Sequence, residues 1–283
     1  MTTTQAAVVG QVAVDLAAET TALAGVLSRL PAAAWEKDTP ADGWTIRDQV
    51  THLAFFDDAT RLAVADPAAF TAQRAELLAF GGRFPDVVAA MYRHLTGHHC
   101  LDWFLRSRAA MLAACRAADP AARLPWYGPD MGLASSLTGR LMETWAHGQD
   151  ILDCLGERRE PTARLRHIAD LGVRTFAFSF RQRGLAVPGE PVRVELTGPG
   201  GQRWTWGPDN AANRVEGDAM DFCLVVTQRR NVADTRLRVT GAPAAGWMAI
   251  AQAFAGRPTD PRPPGSFTAE GSSAPTPGGT ATR

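Results

Sequence analysis

The sequence predicts an α+β protein: an N-terminal antiparallel four-helix bundle followed by a small α+β domain. Apolar residues recur at helical spacing in long segments up to about residue 182. Beyond residue 184, glycine and proline separate short segments in which apolar residues alternate. Residues 258–283 are rich in Pro, Gly, Ser and Thr, a composition that cannot bury enough apolar surface to offset ordering entropy. The expected divisions are therefore a bundle over 1–185, an α+β domain over 186–257 and a disordered tail over 258–283.

The first helix is expected over about 8–29, where Val8, Val12, Leu16, Leu23, Val26 and Leu27 fall at helical spacing before Pro31. A short connection carries Trp35, Pro40 and Gly43. Thr45 is a suitable N-cap, with Asp48 three residues on, so a second helix runs from about 46 to 65 and stops near Pro67. A third spans roughly 84–117, with a break at Gly97, and ends before Pro120. A fourth spans about 132–155 and ends at Gly156. Medium connections between four long helices suit an antiparallel bundle. A further helix over about 162–182 is carried by Leu165, Ile168, Leu171, Val173, Phe176 and Phe180.

The second domain starts after the linker marked by Gly184, Pro188, Gly189 and Pro191. Residues 192–196 alternate as a strand, 198–201 turn, and 202–206 pair back as a hairpin. A helix from Asp218 to Thr227, a strand over 235–239 and a closing helix from Trp247 to Phe254 complete it. No internal repeat is present.

Composition bounds the function. The chain has 283 residues, 46% hydrophobic and 20% charged, in the ordinary range for a globular protein. Formal net charge is zero, which favours neither nucleic acid nor an anionic membrane. The first residues lack the basic start of a secretion signal, and no apolar run reads as long enough to span a membrane. Cys100, Cys115, Cys154 and Cys223 are scattered, as in a reduced cytoplasmic protein. A Gly-x-Ser-x-Gly elbow, a Walker loop and a Gly-x-Gly-x-x-Gly fingerprint are all missing, which argues against the common hydrolase, NTPase and dinucleotide classes.

Three residues stand out. Glu143 and His147 are four apart on the fourth helix, so both side chains reach one face and one metal ion. A third ligand from a neighbouring helix would leave a catalytic ion with an open position. His52 shares its face with Phe55, Phe56, Ala59 and Ala63, while Arg47, Asp57, Asp58 and Arg61 lie opposite, so His52 points inward. Two readings stay open for it: a core histidine bonded to a carbonyl, or a ligand. Glu143, His147, Asp150 and Cys154 form one stripe, either a solvated polar face or the lining of the bundle interior. Asp150 is the candidate catalytic residue, orienting a ligand or moving a proton; it is equally a structural partner for Arg140. Cys154 is a fourth ligand, a reactive thiol or a small buried residue. His98 and His99 diverge on a helix and are placed at the surface or at a break.

The segment Gly43-Trp44-Thr45-Ile46-Arg47-Asp48-Gln49-Val50-Thr51-His52-Leu53-Ala54, together with Glu143-x-x-x-His147-x-x-Asp150, resembles the mycothiol-dependent maleylpyruvate isomerase family. That family lies within the DinB-like superfamily of metal-binding four-helix bundles, and the resemblance covers about residues 8–182. It implies His52, Glu143 and His147 as ligands of a divalent ion, usually zinc, with the open position taken by water or a thiolate. The C-terminal part, ending in 247–256, is similar to an actinobacterial branch whose members are metal-binding proteins of unassigned function.

The resemblance implies a cytoplasmic isomerase or S-transferase that uses a divalent metal and mycothiol on an electrophilic small molecule. Expected partners are that small molecule and neither nucleic acid nor membrane; the chain is a monomer or dimer. Two alternatives drop the thiol: a metal-dependent hydrolase, lyase or cyclase, and a metal-stabilised binding protein without turnover.

Overall fold

A computed structural model describes residues 2–267. Within them the chain forms two compact units, one of residues 2–159 with 254–257 and one of residues 160–253 with 258–267.

The first unit is built on four long helices: α1 (Thr2–Leu27), α2 (Ile46–Ala65), α5 (Gly97–Ala117) and α6 (Leu133–Leu155). Two short helices, α3 (Pro67–Leu78) and α4 (Phe84–Met91), lie between α2 and α5. The long helices pack in the cyclic order α1–α5–α2–α6, so α1 stands diagonally from α2 and α5 from α6. Leu23, Leu27, Trp35, Ile46, Val50, Leu53, Ala54, Cys100, Phe104 and Ile151 form a common core. Gly97 opens α5 against the Trp35 ring, where a Cβ would lie 2.3 Å from a ring carbon.

Several expectations shift at their boundaries. Pro67 was expected to end the second helix; it also begins α3, because proline is favoured in a first turn and the Asp66 carboxylate accepts from Ala69 N at 3.0 Å. The helix expected over 84–117 with a break at Gly97 is indeed two helices, the second starting at Gly97 with Thr96 as its cap. One expectation needs correction. Over Thr4–Leu27, α1 has a length and mean hydropathy (1.3) that would allow it to cross a membrane. In the fold it packs against α5 and α6, and Glu19 and Thr20 lie on its buried face.

In the second unit, α7 (Leu165–Arg174), α8 (Phe176–Gln182), α9 (Ala219–Val226) and α10 (Ala242–Met248) accompany a four-stranded sheet. Its strands, β3 (Val192–Thr197), β4 (Arg203–Trp206), β5 (Asn213–Asp218) and β6 (Arg238–Thr240), lie in the order β4-β3-β5-β6. A separate two-stranded ladder in the first unit joins β1 (Arg123–Leu124) to β2 (Met131–Gly132). The hairpin of β3 and β4 pairs Val194 with Trp206 and Leu196 with Trp204. β5 lies parallel to β3, Val192 opposite Asn213.

The second unit begins near residue 160, earlier than the expected boundary at 185/186. The reason is packing: α7 sits on α9, where a Cβ on Gly172 would stand 2.8 Å from Val226 Cγ2. The Cys223 thiol donates to Leu165 O from within the same contact. Part of the expected tail makes specific contacts with the second unit. Asn231 donates to Arg262 O at 2.8 Å, Gly265 N donates to Asp234 at 2.7 Å, and Arg230 lies 4.1 Å over the Phe267 ring. Residues 268–283 of the expected tail lie outside the described residues.

One ion network ties the bundle together. Asp57 on α2 is fully buried, not on an outward face as its helical position suggested. It accepts from Arg108 of α5 at 2.7 and 3.1 Å and from Arg140 of α6 at 3.1 Å. Arg108 also donates to Thr144 at 2.9 Å and to Thr20 of α1. Removing the carboxylate strands two buried guanidinium groups, which costs far more than an exposed pair would. Asp57→Ala should therefore lower unfolding stability in urea by about 3–5 kcal/mol. A loss below about 1 kcal/mol would mean the guanidinium groups find other partners.

Candidate metal centre

The site is set by the start of α2 and the middle of α6. The Thr45 hydroxyl accepts from Asp48 N while the Asp48 carboxylate accepts from Thr45 N at 2.9 Å, a reciprocal capping box. Asp48 is itself buried and accepts from Arg93 at 3.0 and 2.9 Å. The first turn of α2 is thus fixed, and Gln49 and His52 leave it three residues apart on one face. On α6, Glu143 and His147 stand one turn apart, as their spacing predicts.

These residues converge. One ligand atom from each of His52, Glu143 and His147 lies within 4.8 Å of the others. His147 Nε2 is 2.9 Å and His52 Nε2 is 3.5 Å from Glu143 Oε2. Donor atoms around a tetrahedral ion with bonds of 2.0–2.1 Å stand about 3.3 Å apart, and the two distances bracket that value. His147 Nδ1 meets the Gln49 side-chain carbonyl. Trp44 stacks on His147 at 5.8 Å and Phe56 packs on His52 at 4.5 Å, so aromatic rings shield both imidazoles. The Trp44 indole is held by a bond from Nε1 to Asp86 at 3.0 Å.

Electrostatics put the side chains in ligand-ready forms. Burial, with His147 nearby, pulls the His52 pKa down to about 4 against the opposing pull of Glu143, so His52 is neutral at pH 7. Burial acts to raise Glu143, but bonds and charge from His147 and His52 outweigh it and hold its carboxyl well below the usual range. A neutral imidazole and an ionised carboxylate are the forms that bind a cation.

The structure brings together His52, Glu143 and His147. The solvated-face reading of α6 does not hold: in that stripe His147 and Asp150 are buried, and Glu143 and Cys154 are partly buried. Nor, among the described residues, is His52 bonded to a carbonyl; its Nε2 faces Glu143 and its buried Nδ1 has no partner there. Asp150 is fully buried on α6, outside the convergent three. Cys154 packs against the hydrophobic core near Leu155, and Arg140 turns to Asp57. His98 and His99 are exposed in the first turn of α5. Sequence reasoning missed Gln49, although it precedes His52 by one helical turn on the same inward face. It also left Trp44 without a role.

Comparisons with known proteins identify relatives of the chain. Residues 16–152 match the family model described as the mycothiol maleylpyruvate isomerase N-terminal domain, and residues 188–240 match one described as wyosine base formation. Uncharacterised proteins from two strains of Mycobacterium tuberculosis are each 43% identical over 250 residues, covering 88% of this chain and 97% of their own. A crystal structure of the mycothiol-dependent maleylpyruvate isomerase superposes with a TM-score of 0.56 at 15% identity, over 83% of this chain and 95% of that one. A histidine-to-alanine mutant of that enzyme gives 0.54 at 16% identity, over 78% and 89%. At such identity the likeness is one of fold.

None of the four cysteines is built as a nucleophile. Burial raises the thiols of Cys100 and Cys115 to about 11, Cys223 well above its usual value and Cys154 upward. Raised pKa values leave little thiolate at neutral pH. The native protein should therefore react with a thiol-specific reagent far more slowly than free cysteine, and all four thiols should appear on unfolding. Rapid labelling of one native thiol would contradict this.

Proposed function

The chain belongs to the mycothiol-dependent maleylpyruvate isomerase family, and from that premise we propose a cytoplasmic, metal-dependent enzyme that uses a thiol cofactor, mycothiol, on an electrophilic small molecule. The observation that carries this reading is the convergence of His52, Glu143 and His147, from helices far apart in sequence, on one point inside the bundle. The residues fit a divalent ion: two imidazoles and one carboxylate are a mixed nitrogen and oxygen set of the kind zinc takes at catalytic sites. Bound there, the ion would lower the pKa of the thiol so that a thiolate adds to a conjugated electrophile, and elimination after bond rotation would give isomerisation.

The chain's own residues would do the rest. His52 and His147 contribute neutral donors from two helices, and Glu143 offsets the cation's charge. Trp44 and Phe56 keep water from the histidine side of the site, which strengthens each of these interactions. Asp150, buried one turn beyond His147, is assigned to orienting the α6 ligands.

The protein should carry about one divalent ion per chain, the stoichiometry of one three-residue site. Elemental analysis should find it in the wild type and lose it in a His52→Ala/His147→Ala double variant; equal metal in both would overturn the ligand set. Turnover of conjugated electrophiles should need both metal and mycothiol. Turnover with metal alone would replace the thiol reading with hydrolase or lyase chemistry.

Glu143→Gln tests the carboxylate separately. Glutamine has nearly the same helix propensity, so the far-UV spectrum should not change. It is a neutral and poorer cation ligand, so metal affinity and turnover should fall together. An unaltered dissociation constant in calorimetry would remove Glu143 from the site.

A further inference from the structure

A chain of hydrogen bonds beside the site has only one consistent polarity. The Trp44 carbonyl can only accept, and the Thr39 hydroxyl lies 2.7 Å from it, so that hydroxyl spends its single proton there. The Thr39 oxygen can then only accept, which it does from the Gln49 amide nitrogen at 2.8 Å. The amide orientation follows, because the flipped arrangement would face two acceptors with no proton between them. The Gln49 carbonyl therefore points at His147 Nδ1, and that nitrogen must be a donor.

We propose that Gln49 is a positioning residue that keeps a proton of His147 on Nδ1, so that Nε2 is the nitrogen left facing Glu143, where the two share a cation. Thr39 and the Trp44 carbonyl act through Gln49 by fixing which end of its amide faces the ring. Gln49, Thr39 and His147 are all buried, so water does not offer His147 an alternative partner. The arrangement leaves Nε2 and the Glu143 oxygen, two acceptors, 2.9 Å apart. Such a pair is stable only with a cation between them, either a proton or a metal ion. The metal half of this inference rests on the proposed ligand set; the proton half does not.

The test is long-range proton–nitrogen correlation of the imidazoles in metal-free, nitrogen-15-labelled protein at mildly alkaline pH. The His147 signals are identified among the six histidines by their loss in His147→Ala. In the wild type, His147 should be either protonated on Nδ1 alone or doubly protonated. In Gln49→Leu the ring should turn to the Nε2–H form, donating to Glu143. Gln49→Glu, which keeps an acceptor at that position, should restore Nδ1–H and so separates positioning from mere packing. Zinc affinity, read by competition with a chromophoric chelator, should fall about 10–100-fold in Gln49→Leu and recover in Gln49→Glu. A wild-type His147 in the Nε2–H form, or a Gln49→Leu spectrum unchanged at His147, would overturn the proposal. Absence of zinc binding in the wild type would instead count against the ligand set, with the tautomer still readable.

Discussion

Asp57 is a carboxylate with no exposed surface, held between guanidinium groups from two other helices. Burying three charges is expensive, and the network persists only if each member keeps its partners. That requirement fixes how α2 meets α5 and α6. Arg140 reaches both Asp57 and Leu53 O on α2, and it precedes Glu143 on α6 by three residues. Leu53 in turn follows His52 directly. The register that satisfies Arg140 is therefore the register that sets His52 opposite Glu143 and His147. A slip of one turn would break the ion network and separate the three side chains together.

The bundle interior is polar in a patterned way. Asp48, Gln49, Thr51, Asp57, Thr60, Thr144 and Asp150 are buried among leucines and aromatic rings. An apolar core of equal volume would serve stability as well or better. What the polar groups add is direction. Asp48 fixes the first turn of α2, Asp57 its contact with α6, and Gln49 the orientation of an imidazole. The site is thus held by groups whose geometry is set elsewhere in the bundle, as a constellation must be if it is to stay within a fraction of an ångström. Aromatic rings around the histidines then lower the local dielectric and strengthen each charge interaction.

Much of this was legible in the sequence. The four long helices follow from helical spacing and from the Thr45, Gly156 and Pro120 signals; the paired Glu143 and His147 follow from their four-residue separation. The inward aim of His52 follows from its apolar neighbours. Other features were hidden for physical reasons. α3 was missed because Pro67 was read as a stop, although proline begins helices as readily as it ends them. β5 carries a single strongly apolar residue, Val215, and a glycine, so its alternation is faint. Asp57 was placed outside because a charged residue is assigned to solvent by default, and only its partners on distant helices reveal otherwise. Gln49 was overlooked because a neutral amide carries no signal of its own; its role exists only once His147 is beside it.

The proposed metal centre is tested most directly by crystals grown with zinc, with diffraction data collected on both sides of the zinc absorption edge. One anomalous peak bounded by His52, Glu143 and His147, with a fourth position open to solvent or to a bound thiol, is the expected result. A peak held by other side chains, or well-ordered imidazoles with no peak between them, would contradict the assignment of these residues as ligands.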